Sequence, residues 1–568
     1  MLKPLKHVQD LLAQNAELAA RLKISDEQLH RLQQENERLK GLKPENELLT
    51  ERVMLLQEEV RWFKEQFFGR SSQKSGSEIY SEQKMLFNEA EVLAAIEAAD
   101  TAHAARTTTI AEHERKAHSG GREAIPEHLP RREILQDLPN AQKHCEHEGV
   151  CWAMERIGEE VSERYHYEAP KVWVERQVRP KWACARCHQG VHIAPCAPQI
   201  LPKSNTSASL LAYLVTSKFV DGLPIYRVCR QLLRQGVSLS PGTAGTWVNT
   251  VGEAVLPLIN LMHEELLTNP FIQMDETYLQ VVRSDKAPAS DHYMVVRAAG
   301  PPGRRIVLFN YEPSRTVAAL QNLLIGPQGP YSGKLLTDGL ELYDTVAEAL
   351  KLVHVGCLQH GRTYYHKAAK VTELPSGKNL ARVALEDYIG KVYAVERHIK
   401  ELREAREKSG ETLPLETVKK LRQEKSAPLM AAFKKWVDAL LPAVPPQSAL
   451  GKALSYTINQ WRKLVGFLEH PELPVDNNYL ENQIRPFSAG RRAWLFAQTQ
   501  HGARASANLY SLVSCARVNG LEPHAYLLHL FEELPQASTA EALEALLPWN
   551  LKPILRVNSH GHFGHSPA

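Results

Sequence analysis

Two adjacent carboxylates, Asp275 and Glu276, interrupt the strand-forming run FIQMDETYLQVV at 271–282. Successive side chains of a strand point to opposite faces, so only one of the two can reach a given site and the other is left for solvent or a salt bridge. An acid inside an apolar strand carries a desolvation cost unless it is paired or binds a metal. A metal or catalytic role would explain the pair, and so would a solvated edge strand. A further acid, Asp338, ends the short apolar stretch GKLLTD at 333–338 and is followed at once by Gly339. Thiol chemistry lies elsewhere: Cys145, Cys151, Cys184 and Cys187 cluster, while Cys196, Cys229, Cys357 and Cys515 are scattered. Cys184 and Cys187 form a CxxC that can place two thiolates on one tetrahedral ion through a tight turn. Cys145 and Cys151 could supply the other two ligands of a structural Zn²⁺. The gap between Cys145 and Cys151 is wider than zinc sites normally use, His144 and His147 are competing ligands, and two unrelated buried thiol pairs are the alternative.

The acids need elements to position them. Strand patterns at 271–282, 292–299 and 304–311 are followed by a helix at 315–325, a strand at 333–338, a helix at 344–350, a strand at 352–357 and a helix from 360 onward. Three strands in succession and then alternation is the order of a ribonuclease H-like α/β domain with a mixed sheet. In that topology the first and fourth strands are central neighbours, so Asp275 and Asp338 converge near the strand ends where α/β sheets bind ligands. Charged helical stretches at 387–406 and 417–441 read as a helical insertion. Beyond it, Asp476, Asn477 and Asn478 form a loop and N-cap for a helix with Leu480, Ile484 and Phe487 on its apolar face and Glu481 beside it. Pro486 is expected to end or kink that helix within a turn. Arg485, Arg491 and Arg492 follow with Trp494 and Phe496 interleaved; such a stretch can clamp phosphates and stack on bases, or be a solvated face.

Upstream, one heptad register runs from Val8 to Leu39, with Val8, Asn15, Leu22, Leu29 and Asn36 at a, and Leu11, Leu18, Ser25, Leu32 and Leu39 at d. This predicts a coiled coil in which the polar Asn residues fix register, and hence self-association. Helical patterns at 207–219, 225–234 and 241–255, with a turn at 235–240, have helix-turn-helix spacing. Thr243, Thr246, Trp247 and Asn249 lie toward the exposed side of the last helix, where DNA would be met; plain core packing is the alternative. The boundaries that follow are 1–74 coiled coil, 75–139 linker with a short helix, 140–200 zinc-ribbon-like domain, and 201–265 helix-turn-helix-like region. Then come 266–370 and 473–500 as catalytic core, 371–472 as the insertion between them, 501–548 as a C-terminal helical region and 549–568 as a tail. The chain of 568 residues carries a net charge of only +3, so DNA affinity must come from local basic patches. No apolar run reaches the roughly 20 residues of a membrane span and no signal peptide is legible, which predicts a cytoplasmic protein.

Together these motifs resemble the large transposases of bacterial insertion sequences of the insertion sequence 66 type. The resemblance runs through FGRSSQK at 68–74, IGEEVSE at 157–163, KFVDGLPIYR at 218–227, DET at 275–277, TDG at 337–339, Cys357, His360 and Arg362 as C..H.R, DNNYLENQIRPF at 476–487 and GRRAWLF at 490–496. That family is similar to retroviral integrases in fold. The resemblance therefore implies an Asp-Asp-Glu triad at Asp275, Asp338 and Glu481, with His360 and Arg362 as auxiliary site residues and Asn478 as a support beside Glu481. Three hard oxygen ligands can hold two Mg²⁺ (or Mn²⁺) ions, one activating water or a DNA 3′-hydroxyl and one stabilising the leaving oxygen. The implied partners are element-end and target DNA, a second copy of the chain, and small accessory proteins of the same element. The first cysteine pair departs from the family's CxxC, with Glu148 where its first Cys would stand. The rival expectation is a non-catalytic zinc and helix-turn-helix DNA-binding regulator, which would lack one of the acids.

Overall fold

The computed structural model describes residues 52, 55, 144–147, 150–153, 172–179, 181–183, 191–193, 195–286, 290–371 and 379–551. The heptad seam, the linker, Cys184, Cys187 and the tail after 551 lie outside the described residues. The chain divides into two units, one made of 100–194 with 234–237 and the other of the remainder. In the smaller unit, β1 (His144–His147) pairs antiparallel with β2 (Val150–Ala153), and β3 (Lys181–Ala183) pairs antiparallel with β4 (Val191–Ile193).

The larger unit opens with four helices, α1 (Ala208–Phe219), α2 (Ile225–Arg234), α3 (Pro241–Ala254) and α4 (Leu256–Leu267). Ser207 and Ser240 cap α1 and α3 by accepting from the amides of Leu210 and Thr243, and Pro241 occupies the first turn of α3, where its missing N–H costs nothing. Next come β5 (Phe271–Arg283), β6 (Asp291–Ala299), β7 (Ile306–Glu312), α5 (Val317–Asn322), the short pair β8 (Ile325–Gly326) and β9 (Gly329–Pro330), β10 (Lys334–Thr337), α6 (Glu341–Leu350), β11 (Val353–Gly356) and α7 (Leu358–Val371). The sheet order is β11-β10-β5-β6-β7, with β5, β6 and β7 antiparallel and β10 and β11 parallel to β5. The mixed sheet thus puts the first and fourth of these strands side by side at its centre.

The inserted helices α8 (Leu380–Val383), α9 (Gly390–Lys408), α11 (Ala427–Leu440) and α12 (Ala449–Leu464) share one apolar core with α7, while α10 (Leu415–Leu421) packs Val418 against Val395 and Ile399 of α9 in a smaller cluster. Tyr365 of α7 lies edge-on to Phe433 of α11, with Val437, Leu454 and Phe467 around them. This ties the insertion to the sheet domain by packing and not by its two chain connections alone.

α13 (Asn478–Trp494) carries Pro486 inside it and continues for two more turns, so the proline does not end the helix. An internal proline costs about 3 kcal/mol. The opposing gain is Phe487, fully buried with its ring 5.1 Å from Tyr510 and 5.6 Å from Trp494. Burying such a ring stabilises by roughly 1.5–3 kcal/mol before ring–ring terms are added. The carbonyl that Pro486 orphans belongs to Asn482, an exposed residue, where water can satisfy it.

β12 (Ala497–Thr499) then pairs parallel with the outer half of β5, and α14 (Gln500–Val518), α15 (Pro523–Glu533) and α16 (Ala540–Ala545) complete the unit. α14 covers the edge strand β7 in an unusual way. Ser511 Oγ accepts from Phe309 N at 2.8 Å, Cys515 Sγ from Val307 N at 3.2 Å and Asn519 Oδ1 from Arg305 N at 2.9 Å. The rise of four helical residues, about 6 Å, nearly matches two residues of strand, so every fourth helix side chain meets every second strand amide. An edge strand that would otherwise present open N–H groups is closed by side chains.

Candidate active site

The register of β5 with β10 pairs Phe271 with Lys334, Ile272 with Leu335 and Gln273 with Leu336. Continued by two residues, it brings Asp338 level with Asp275. Asp338 lies just past the end of β10, where its Oδ1 accepts from Leu340 N at 3.0 Å. Gly339 lets the Tyr456 ring pack close there, since a Cβ would stand 2.7 Å from its hydroxyl. Gln460 of α12 donates to the Gly339 carbonyl at 3.1 Å, so an inserted helix holds the turn that carries Asp338.

Glu481 reaches the same place from the first turn of α13, 4% exposed, at the helix end whose free amides favour negative charge. Asn477, fully buried, fixes that end in two directions: its side-chain amide donates to Met274 O on β5 at 3.4 Å, and its backbone amide donates to Cys357 Sγ at 3.2 Å. His360, in the first turn of α7, has Nδ1 3.9 Å from Glu481 Oε1. Ligand atoms of Cys357, His360 and Glu481 all lie within 4.8 Å of one another.

The electrostatics follow from this crowding. Burial pushes the Asp275 carboxyl well above the ordinary carboxylate range; the charges of Asp338, Glu276 and Glu481 push the same way, and His360 opposes them. Like charges so placed resist simultaneous ionisation unless a cation sits among them. Carboxylates from a strand, a strand end and a helix start form the hard-oxygen donor set that suits Mg²⁺ or Mn²⁺.

Two other acids nearby are occupied. Glu276 Oε1 takes Arg315 Nη1 at 2.9 Å, and the Tyr343 hydroxyl donates to Oε2. Asp476 accepts from Tyr393 Oη at 2.9 Å and from Asn478 N and Nδ2, both at 3.1 Å. Asn478 therefore serves the cap, while its neighbour Asn477 touches the site elements. Arg362 donates to Gln359 at 3.5 Å and stacks its guanidinium 5.1 Å from the Tyr393 ring.

The other predicted residues of the larger unit lie on α3 and α13. Thr243 and Thr246 are exposed and Asn249 is half-buried on α3; Thr246 Oγ1 donates to Gly242 O at 3.0 Å. The opposite face of α3, with Ala244, Val248, Val251 and Gly252, is buried. Arg491 donates to Tyr278 O and, at 3.3 Å, to Thr277 Oγ1, fastening α13 to β5. Arg485 is half-buried and Arg492 is exposed, and Leu495 and Phe496 beyond them are exposed as well. On the hairpin of β1 and β2, Cys145 pairs with Trp152 and Cys151 with Glu146, so the two cysteines are not opposite each other in register.

Arg315, Tyr343, Tyr393 and Gln460 are not legible as site residues in the sequence, and Asn477 is legible there only as part of a loop and N-cap. Of these only Asn477, inside the DNN triplet, sits in a motif; the others have no local signal and reach the site by long-range packing.

Family models match most of this chain. One described as "Transposase IS66 family" matches 203–505, more than half of the residues. "IS66 C-terminal element" matches 511–549, "zinc-finger binding domain of transposase IS66" matches 142–188, and "Transposase C of IS166 homeodomain" matches 55–134. The zinc-finger match spans all four clustered cysteines. Among curated relatives, Uncharacterized protein y4jD of Sinorhizobium fredii (strain NBRC 101917 / NGR234) is 28% identical over 442 residues, covering 75% of this chain and 81% of the relative. Uncharacterized protein y4qI of the same strain is 27% identical over 435 residues, covering 75% and 78%. No helix among the described residues is long and apolar enough to cross a membrane.

Proposed function

The chain belongs to the IS66 transposase family, and from that premise we propose that it cleaves the ends of its insertion sequence and joins them to target DNA through an Asp-Asp-Glu triad on a ribonuclease H-like core. The observation that carries this reading is the β5–β10 register, which brings Asp338 level with Asp275 while Glu481 meets them from α13. The acids most easily confused with the triad, Glu276 and Asp476, are engaged by Arg315, Tyr343, Tyr393 and Asn478, and that supports the choice.

Asp275, Asp338 and Glu481 would hold Mg²⁺ or Mn²⁺. Such ions, when bound, lower the pKa of the attacking water or 3′-hydroxyl and neutralise charge on the leaving oxygen. The attacking oxygen forms a bond to phosphorus as the bond to the departing 3′ oxygen breaks, with no covalent enzyme–DNA intermediate. His360 sets the Glu481 carboxylate from one side, and the Asn477 amide anchors its helix to β5. Arg362 acts at one remove, by supporting Tyr393.

Around this centre, Thr243, Thr246 and Asn249 on α3 and Arg485, Arg491 and Arg492 on α13 are the proposed DNA contacts. Cys145, Cys151, Cys184 and Cys187 are proposed to hold a structural Zn²⁺, His147 being the substitute for either of the first two. The heptad seam is proposed to pair two copies in the cytoplasm, with accessory proteins of the same element completing the machinery.

The test is cleavage and strand joining on labelled duplexes carrying the ends of the element that encodes the chain, wild type beside Asp338→Asn. Products that need Mg²⁺ or Mn²⁺ and vanish in the variant are expected. End binding with no cleavage under either metal, with accessory proteins supplied, would turn the assignment toward a non-catalytic regulator.

A further inference from the structure

Tyr393 belongs to the inserted helix α9 and is remote in sequence from both sheet and triad, yet its hydroxyl lies 2.9 Å from Asp476 Oδ2 and 3.1 Å from Gln359 Oε1. A hydroxyl has one proton, and the carboxylate is the stronger acceptor. Asp476 passes the restraint on: its carboxylate also accepts from the amide and side chain of Asn478, the first residue of α13, one turn before Glu481. Burial and the Asp476 charge both push the Tyr393 hydroxyl well above its ordinary pKa, so it stays a donor.

One turn further along the same helix, Glu396 takes the Arg422 guanidinium side-on, both contacts at 2.8 Å. Arg422 is 1% exposed, and its Nη1 also donates to the carbonyls of Phe467 at 2.9 Å and His470 at 3.3 Å. Residues three apart on a helix share a face. A single face of α9 thereby grips both ends of 467–476, the segment that delivers the chain to Glu481.

We propose that the helical insertion is a splint for the third acid, with Tyr393 as a positioning residue that sets Glu481 through Asp476. This rests on the catalytic reading of Glu481 above. It assigns the insertion work at the metal-binding end of α13, beyond any part it has in binding DNA.

The test compares wild type, Tyr393→Phe, Asp476→Asn and the double variant by three readouts. Hydrogen exchange at amides 477–481 is expected to quicken by about tenfold or more in Tyr393→Phe, the scale of a lost hydrogen bond to a charged group. Mn²⁺ affinity of the DNA-free protein, read by paramagnetic resonance titration, should fall by about as much, and excess Mn²⁺ should restore cleavage. End binding should stay near wild type, the unfolding midpoint should fall no further than the loss of one hydrogen bond to a charged group allows, and the double variant should be no worse than the worse single, since both act on one contact. Unchanged exchange at 477–481, or losses that add in the double variant, would overturn the splint. The first two readouts need no cleavage, so a wild type that cuts no DNA would defeat the catalytic reading while exchange and Mn²⁺ affinity still decide the role of Tyr393.

Discussion

Arg315 donates to Glu276 at 2.9 Å, one strand position from Asp275, so the two neighbouring acids stand in different surroundings. Asp275→Asn, Asp338→Asn and Glu481→Gln are each expected to remove cleavage and joining while leaving end binding within a few-fold of wild type. Glu276→Gln should instead cost stability, about 1–3 kcal/mol, because Arg315 and the Tyr343 hydroxyl lose a charged acceptor. Urea unfolding beside the cleavage assay separates the two classes; a Glu276→Gln protein of full stability and no activity would reverse the roles.

Lys218 offers a dependence on pH. Burial lowers its amine from 10.5 to about 8. A lysine with a depressed folded pKa holds fewer protons folded than unfolded between those values, so it makes stability rise with pH from about 8 to 10.5. Lys218→Met should be more stable than wild type at pH 7, by roughly 1–3 kcal/mol, and should lack that rise. Denaturation at pH 7, 8 and 10 reads the difference, and parallel curves for the two proteins would show that Lys218 titrates normally.

Gly252 lets α3 lie against α14, since a Cβ there would stand 2.7 Å from the Ala505 Cβ. Gly252→Ala should destabilise by about 1–3 kcal/mol despite its better helix propensity, because two backbones must separate. Asn508, which donates to the Gly252 carbonyl at 2.8 Å, would lose its partner as they part. Thermal unfolding is the check, and a stabilised variant would mean that the helices are free to slide.

The zinc-finger region predicts one bound zinc per chain that is lost with Cys184→Ser and with Cys187→Ser. Strong chelation of the purified protein should weaken end binding. Metal analysis of the three proteins decides this, and an undiminished zinc content in both variants would remove these cysteines from the ligand set. Cys145→Ser and His147→Gln, compared in the same way, would identify the first ligand pair.

Arg492 is exposed at the end of α13, and Arg491 is partly spent on Tyr278. Arg492→Ala should therefore lower the salt dependence of DNA binding by about one unit of log–log slope, uniformly across sequences. Asn249→Ala should relax sequence preference with less change in slope. Binding measured over a range of salt on element-end and unrelated duplexes distinguishes the two, and equal slopes for Arg492→Ala and wild type would take Arg492 out of the interface.

Local pattern was enough to read the sheet. Alternation and β-branched content mark β5, β6 and β7, and the change to helix–strand alternation after 312 carries the parallel half of the sheet, which is why Asp275 and Asp338 could be brought together on paper. Glu481 needed more: its helix was legible, but its link to the sheet came from a family resemblance, because no local rule connects positions so far apart. That α13 would continue past Pro486 was not legible, because propensity is a local property and Phe487 packing is not. Tyr393 and Gln460 were invisible for the same reason. Each is an unremarkable residue on an inserted helix until the fold delivers it to Asp476 or Gly339.

The side-chain ladder from α14 onto β7 joins residues 202 positions apart at Ser511 and Phe309. On a ribosome adding about 5–20 residues per second, β7 emerges roughly 10 to 40 seconds before the helix that covers it. Throughout that interval its edge is open to chaperones or to neighbouring nascent chains. The same order of synthesis delays α13, and with it Glu481, so a polypeptide stalled before that point has two aspartates and no third acid. On the catalytic reading proposed above, a truncated translation product would be an aggregation hazard but unable to cut DNA.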